Sequence, residues 1–144
     1  MNNQNVTTHK FVAVLNKKVE IGKVLNVLAH LSISIVADAT PEQIQEMGIV
    51  NYTDKDENTH KASKNSFVIV KADNGNQIRT VRNAAKEKGV LFVDFTNTMQ
   101  EGTFLEQLER TKQTAESELD YYGIVLFGEI DKVSELTRKF SLWI

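Results

Sequence analysis

Short runs of β-branched and aromatic residues alternate with longer amphipathic segments along the chain, and this order constrains the fold more than any other feature. The runs read as strands are residues 10–15, 67–70, 90–93 and 124–127. Strands that alternate with helices of ten or more residues are typical of α/β domains, in which helices cover both faces of the sheet. The sequence therefore predicts a three-layer α/β/α sandwich with a mixed, mainly parallel sheet of about four strands.

Helix boundaries are marked by capping residues. Thr40 and Pro41 open a short helix that stops at Gly48, and Asp73 or Asn74 opens a longer one that Gly89 closes. A run that is apolar almost all the way round predicts a first helix over residues 21–36, packed on the sheet and covered again on its outer side. A Thr-x-x-Glu capping box and helical spacing predict another over 103–119, and a last one is expected over 131–140.

The chain has the length of one domain. Its 144 residues predict a single α/β domain, which we place at 9–144. The polar composition of 1–8 predicts a flexible start, and that of the segment around 53–65 predicts a mobile excursion. A formal charge of -2 provides no general attraction for nucleic acid. The sequence has no cysteine, no signal-peptide pattern at its start and no apolar run that spans a bilayer, so we expect a cytoplasmic protein without membrane contact.

Several large classes of site have no signal in the sequence. There is no Gly-rich phosphate loop, no GxSxG elbow and no HExxH helix. His9 and His60 have no partners at the spacing of metal ligands. We therefore expect neither a metal nor a cofactor.

The predicted first helix carries a polar stripe. Lys23, Asn26, His30 and Ser34 recur at spacings of three and four residues on an otherwise apolar segment. One interpretation is a cleft wall in which His30 exchanges a proton and Lys23 holds an anion. The other is a helix edge that touches solvent, with a structural histidine.

A second polar group follows the third predicted strand. Asp94, Thr96 and Thr98 leave the carboxyl end of that strand, where α/β proteins place their sites. Asp94 is a candidate to orient a water or His30, and the threonines are candidates to donate to an oxyanion. The alternative is that Asp94 bonds loop amides, as Asp does in many turns. On the third predicted helix, which precedes this strand, Arg79, Arg82 and Lys86 share a face that either meets phosphate or is simply solvated.

Three segments resemble the archaeal and eukaryotic type of peptidyl-tRNA hydrolase, and more closely a group of small uncharacterised proteins with that fold. The first is the strand at 11–15 with Val-Glu-Ile-Gly-Lys at 19–23 and a helix containing His30. The second is Val-Asp-Phe-Thr-Asn-Thr at 93–98, which is similar to the family's Val-Asp-Ala-Gly-x-Thr. The third is the closing strand at 125–128 followed by 137–142, similar to the family's Thr-Gly-x-Leu-x-Leu end.

The resemblance implies a site made of Lys23, His30, Asp94 and Thr98. Asn26 of the polar stripe and Thr96 at the strand end, where the family has Gly, are predicted as further ligand contacts. A hydrolase acting on an ester or amide, including a tRNA-linked substrate, is the first hypothesis. The second is a module that binds a small molecule or a protein in the same cleft without turnover. A third is assembly, for example a homodimer anchored by Trp143 and Ile144.

Overall fold

The computed structural model describes residues 7–144, and the elements below belong to that part of the chain. The strands are β1 (His9–Asn16), β2 (Ile49–Thr53), β3 (Thr59–Ser63), β4 (Phe67–Ala72), β5 (Leu91–Thr96), β6 (Tyr121–Glu129) and β7 (Ser141–Leu142). The α-helices are α1 (Ile21–Ser34), α2 (Pro41–Glu46), α3 (Gly75–Lys88), α4 (Phe104–Lys112) and α5 (Ile130–Thr137). Of the predicted flexible start, residues 1–6 lie outside the described residues.

The main sheet has five strands in the order β5-β6-β1-β4-β7. Only β1 and β4 are parallel neighbours, because β6 runs antiparallel to both β1 and β5, and β7 runs antiparallel to β4. The sheet is mixed, as predicted, but it has five strands rather than about four, and its antiparallel pairs outnumber the single parallel pair, so it is not mainly parallel. The strand β7 has only two residues, which is too short to leave a pattern in the sequence.

The predicted helix at 103–119 explains the error in strand direction. The helix ends at Lys112, and a 3-10 turn follows at Glu116–Glu118. No residue of α4 is buried, so α4 does not cover a face of the sheet. A parallel connection needs a crossover over one face, whereas β5 and β6 pair antiparallel, so the segment that joins them does not cross the sheet.

Helices lie on both faces of the sheet, in three layers. On one face, Val24, Val27 and Leu31 of α1 pack with Phe11 and Phe127. On the other face, α3 and α5 bury their apolar side chains against the alternate residues of the same strands; these are Ile78, Val81, Ala85, Val133 and Leu136. The side chain of each strand residue therefore belongs to either the α1 face or the α3 face.

The outer side of α1 is not covered within residues 7–144. Leu25 and Ile33 are 56% and 72% exposed, although the sequence predicts a second covering layer. No helix in the described part of the chain is long and apolar enough to cross a membrane.

A separate two-stranded hairpin, β2 with β3, occupies the region of the predicted excursion. The strand β2 ends where this excursion was predicted to begin, and its partner β3 lies inside the tract predicted to be mobile. At the other end of the chain, Trp143 is partly buried against the α1-side core and its amide donates to the carbonyl of Ile69. Trp143 therefore helps to close the core, and Ile144 is fully exposed.

Gly123 of β6 sets how closely α1 approaches the sheet. A Cβ there would lie 2.9 Å from Leu15 Cδ2 and from Leu31 Cδ1, and 3.1 Å from Val27 Cγ1. These three side chains are fully buried, so they have no free space into which to move.

We expect Gly123→Ala to lower the free energy of unfolding by about 1–3 kcal/mol, because the added methyl overpacks this contact. Gly22→Ala is the matched control, since a Cβ at Gly22 meets nothing within 4 Å. Urea unfolding of the two variants measures the difference. Equal stability of both variants would contradict the close contact.

Candidate functional site

A groove of about 700 Å³ opens between α1, the end of β5 and α4. We call it the α1–α4 groove. Its lining combines amide, hydroxyl and imidazole groups with aromatic and aliphatic side chains: Asn26, His30, Ser34, Asp94, Phe95, Thr96, Met99, Gln100, Phe104, Gln107, Thr111 and Leu119. It has the size of a small-molecule site.

The polar stripe of α1 forms one wall of this groove. Because Val24, Val27 and Leu31 face the sheet, Asn26, His30 and Ser34 are directed to the side, over the end of β5. The ring of His30 lies 5.5 Å from the ring of Phe95, tilted by 41°. Three of the four stripe residues are thus brought together.

Lys23 is exposed at the start of α1 and does not line the groove. It makes no ion pair within residues 7–144. The structure therefore separates Lys23 from the other stripe residues.

Asp94 and His30 lie on opposite faces of β5. Phe95 and Val93 pack on the α1 face with His30, whereas Asp94 shares the α3 face with Phe92. There, Arg82 Nε donates to Asp94 Oδ2 at 2.9 Å. Asp94 borders the groove from the far side of the strand, and within the described residues no hydrogen bond joins it to His30.

The threonines form a buried hydroxyl cluster. Thr98 is 2% exposed, and its Oγ1 lies 2.8 Å from Thr96 Oγ1 and 2.7 Å from Thr111 Oγ1. The carbonyl of Thr98 accepts a hydrogen bond of 2.9 Å from Arg110. Thr98 thus ties α4 to the end of β5 and supports the second wall of the groove.

The second wall comes from α4, which sequence reasoning did not connect with a site. Phe104 and Leu108 are 64% and 46% exposed, so α4 is held by the polar bonds of Arg110 and Thr111 rather than by apolar burial. The apolar spacing of α4 predicts a buried helix face, and that same apolar surface borders the groove at Phe104. The sequence signals for this wall, the cap at Thr103 and the helical spacing after it, mark a helix but do not indicate a groove.

Two of the three basic residues on α3 are used within the protein. Arg79 Nε donates to Glu116 Oε2 at 2.8 Å, and Arg82 is paired with Asp94. Both guanidinium groups lie near the ring of the buried Tyr121, at 5.1 and 5.9 Å from its centroid. These contacts leave Lys86 as the member of the row without an ion pair in the described part of the chain, which argues against a phosphate site on this face.

Burial and ion pairing shift the pKa values of this network. The hydrogen bond from Arg79 holds the pKa of Glu116 below its usual 4.5. Burial is the main cause that raises the pKa of Tyr121 above its usual value. Residues 7–144 contain no group of three or more His, Asp or Glu side chains that could hold a metal ion.

The Arg79–Glu116 pair predicts an acid-dependent part of stability. A carboxyl group whose pKa is lower in the folded protein than in the unfolded chain adds to the free energy of unfolding at pH values above its unfolded pKa, near 4.5. This added stability is lost as the pH falls through the pKa of the folded protein. We expect the loss of stability between pH 5 and pH 3 to be smaller in Glu116→Gln than in the wild type. Urea midpoints across that range measure the difference, and parallel pH profiles would contradict it.

The hydroxyl cluster predicts different outcomes for two substitutions at Thr98. Thr98→Val leaves the hydroxyls of Thr96 and Thr111 without their shared partner, and we expect a loss of about 1–3 kcal/mol. Thr98→Ser keeps the hydroxyl and should lose less. Hydrogen exchange of α4 amides should become faster in Thr98→Val, and unchanged exchange would show that the cluster does not hold α4.

Comparisons with known proteins identify a structural neighbour and a family that are both described as of unknown function. A solved structure, a protein of unknown function (Atu0240) from Agrobacterium tumefaciens strain C58, superposes with a TM-score of 0.77 at 20% identity, covering 96% of this chain and 100% of that one. This likeness shows the fold alone. No curated protein matches the chain. The model of a family of proteins of unknown function, DUF2000, matches residues 9–144, and the chain therefore belongs to the DUF2000 family.

Proposed function

We propose that this protein binds a small amphipathic molecule in the α1–α4 groove and does not convert it. The observation that carries the proposal is the division of the candidate site. Asn26 and His30 face the open groove, whereas Asp94 and Thr98 are held in bonds to Arg82 and to other threonines.

The lining supports a ligand with a flat apolar part and a polar edge. Phe95 and Phe104 offer aromatic surface, and Met99 offers a polarisable thioether that adapts to ring edges. Asn26 and Gln107 each carry an amide with both donors and acceptors. A neutral heteroaromatic amide combines these features, since it stacks and hydrogen-bonds without needing a counter-charge.

Hydrolysis is the competing hypothesis, and the resemblance to peptidyl-tRNA hydrolases is its source. A general base is oriented by a second group, but the hydrogen bonds of residues 7–144 include none to the His30 ring. The Thr98 hydroxyl is buried and already bonded on both sides, so it is poorly placed to donate to an oxyanion. Lys23 lies outside the groove. Binding alone needs none of these groups.

The binding hypothesis is tested with a panel of neutral heteroaromatic amides, such as nicotinamide and indole-3-acetamide, titrated into isotope-labelled protein. We expect amide and side-chain shifts to concentrate at Asn26, Phe95 and Gln107. His30→Ala should weaken binding about tenfold, the value of one or two lost contacts. Lys23→Ala is the matched control on the same helix and should bind as the wild type does. Equal effects of the two variants would contradict a ligand in the groove.

The same protein is then incubated with N-acetyl-phenylalanyl-tRNA. We expect no release of tRNA above the buffer rate in either the wild type or Asp94→Ala. Release by the wild type that is lost in Asp94→Ala would replace the binding proposal with the hydrolase hypothesis.

A further inference from the structure

The outer edge of β5 carries main-chain groups that have no partner within residues 7–144. The amide of Phe11 donates to Ser66 and that of Lys17 to Ala72, so the odd residues of β1 are directed to β4. The even residues of β1 therefore bond to even residues of β6, and the odd residues of β6 bond to β5. The odd residues of β5 are used in that ladder.

Phe92 and Asp94 consequently direct their amides and carbonyls away from the sheet. They lie about 7 Å apart along the strand, which is the spacing of one antiparallel repeat. No main-chain hydrogen bond within residues 7–144 reaches them from outside the sheet. The bulge of β5 comes later, between Phe95 and Thr96, so it does not bend this part of the edge away.

This edge is the floor of a second groove of about 600 Å³, which we call the edge groove. Asp38, Thr40 and Gln43 form the wall on the α1 face, and Ala85 and Lys86 form the wall on the α3 face. An exposed strand edge is a template for pairing, and proteins usually cover it or place Lys, Pro or a bulge on it. From Leu91 to Asp94, β5 has no Lys, Pro or bulge, and its one charged side chain, Asp94, is paired with Arg82.

We propose that the edge groove binds an extended peptide as an added strand next to β5. The peptide's main chain bonds to the free groups of Phe92 and Asp94, as in strand addition to other sheets. This proposal does not rest on ligand binding in the α1–α4 groove, because its contacts are main-chain groups and the walls of a different groove.

The two walls of the edge groove determine which side chains the peptide needs at each position. Peptide residues opposite Phe92 and Asp94 are directed to the α3 face, and the residue between them is directed to the α1 face. Since Arg82 is paired with Asp94, Lys86 lies one helical turn further along α3, towards Phe92. A glutamate opposite Phe92 therefore meets Lys86, and a lysine at the intervening position meets Asp38.

A single extended segment fits this groove better than a second copy of the protein. The free groups lie on a floor between two walls, and a narrow strand can enter between them. A second copy would bring the same two walls together with its own β5, so the walls of the two copies would face each other across the paired strands.

The probe is the peptide acetyl-Thr-Val-Lys-Glu-Thr-amide, with valine opposite Asp94 and glutamate opposite Phe92 in antiparallel pairing. Hydrogen exchange of the wild-type protein is followed by NMR with and without the peptide. We expect the amides of Phe92 and Asp94 to exchange rapidly in the free protein and more slowly with the peptide. The amide of Val93, which is bonded to β6, should change little.

Two N-methylated peptides separate main-chain pairing from side-chain contact. Methylation at valine and glutamate removes the N–H groups that are directed to β5, and binding should weaken at least about tenfold. Methylation at lysine removes an N–H that is directed away from β5, so this peptide should bind with the same affinity as the unmethylated one. Equal weakening by both peptides would overturn the proposal.

Phe92→Pro removes the outward N–H without removing a bond of the β6 ladder, and it should abolish binding. Phe92→Ala is the matched control, because it loses the ring and keeps the N–H, so it should still bind. Lys86→Glu should weaken the glutamate peptide and not one with glutamine in its place.

Three outcomes would overturn the proposal irrespective of how Phe92→Pro folds. One is unchanged exchange at Phe92 and Asp94 with saturating peptide. Another is slow exchange of these amides before any peptide is added. The last is dimerisation in sedimentation that protects them, which would make a second copy the occupant. None of these outcomes bears on the binding of amides in the α1–α4 groove, which is measured at Asn26 and Gln107.

Discussion

The strand β6 holds the structure together, because it is hydrogen-bonded on both sides and antiparallel to both neighbours. Its side chains supply both cores, with Phe127 on the α1 face and Tyr121 on the α3 face. Gly123 in the same strand lets α1 approach closely. Because β6 lies between β1 and β5, β5 becomes an edge strand, and both grooves described above depend on that position.

Most elements were predictable where local chemistry and packing agree. Thr40 and Asn74 accept the predicted hydrogen bonds at the starts of α2 and α3, and Gly89 ends α3 with a positive φ of 68°. By contrast, α5 begins at Ile130, one residue before its predicted start, and its first turn has no side-chain cap within the described residues. The direction of β6 could not be predicted, because an amphipathic helix between two strands has the same sequence pattern whether or not it covers a face of the sheet.

The candidate site was predictable in part for a similar reason. The stripe of α1 could be placed because its apolar residues fix which side meets the sheet. The sequence did not predict which face of the sheet each side chain of β5 meets, because Phe92 and Val93 are both apolar and the strand has no alternation of polar and apolar residues there. Asp94 next to Phe95 therefore looked like a neighbour of His30, although alternate side chains of a strand are directed to opposite faces.

This alternation gives the two faces of β5 different roles. On the α3 face, Arg82 and Asp94 neutralise each other close to the ring of Tyr121, and a partly buried pair of this kind keeps its geometry better than a fully exposed one. The pair fixes the side chain of Asp94, whereas no hydrogen bond within residues 7–144 reaches its main-chain groups from outside the sheet. On the α1 face, Phe95 and His30 border the α1–α4 groove, and no ion pair in the described part of the chain joins two of its lining residues. The charged pair therefore lies on one face of β5, and the imidazole and amide groups that border the groove lie on the other.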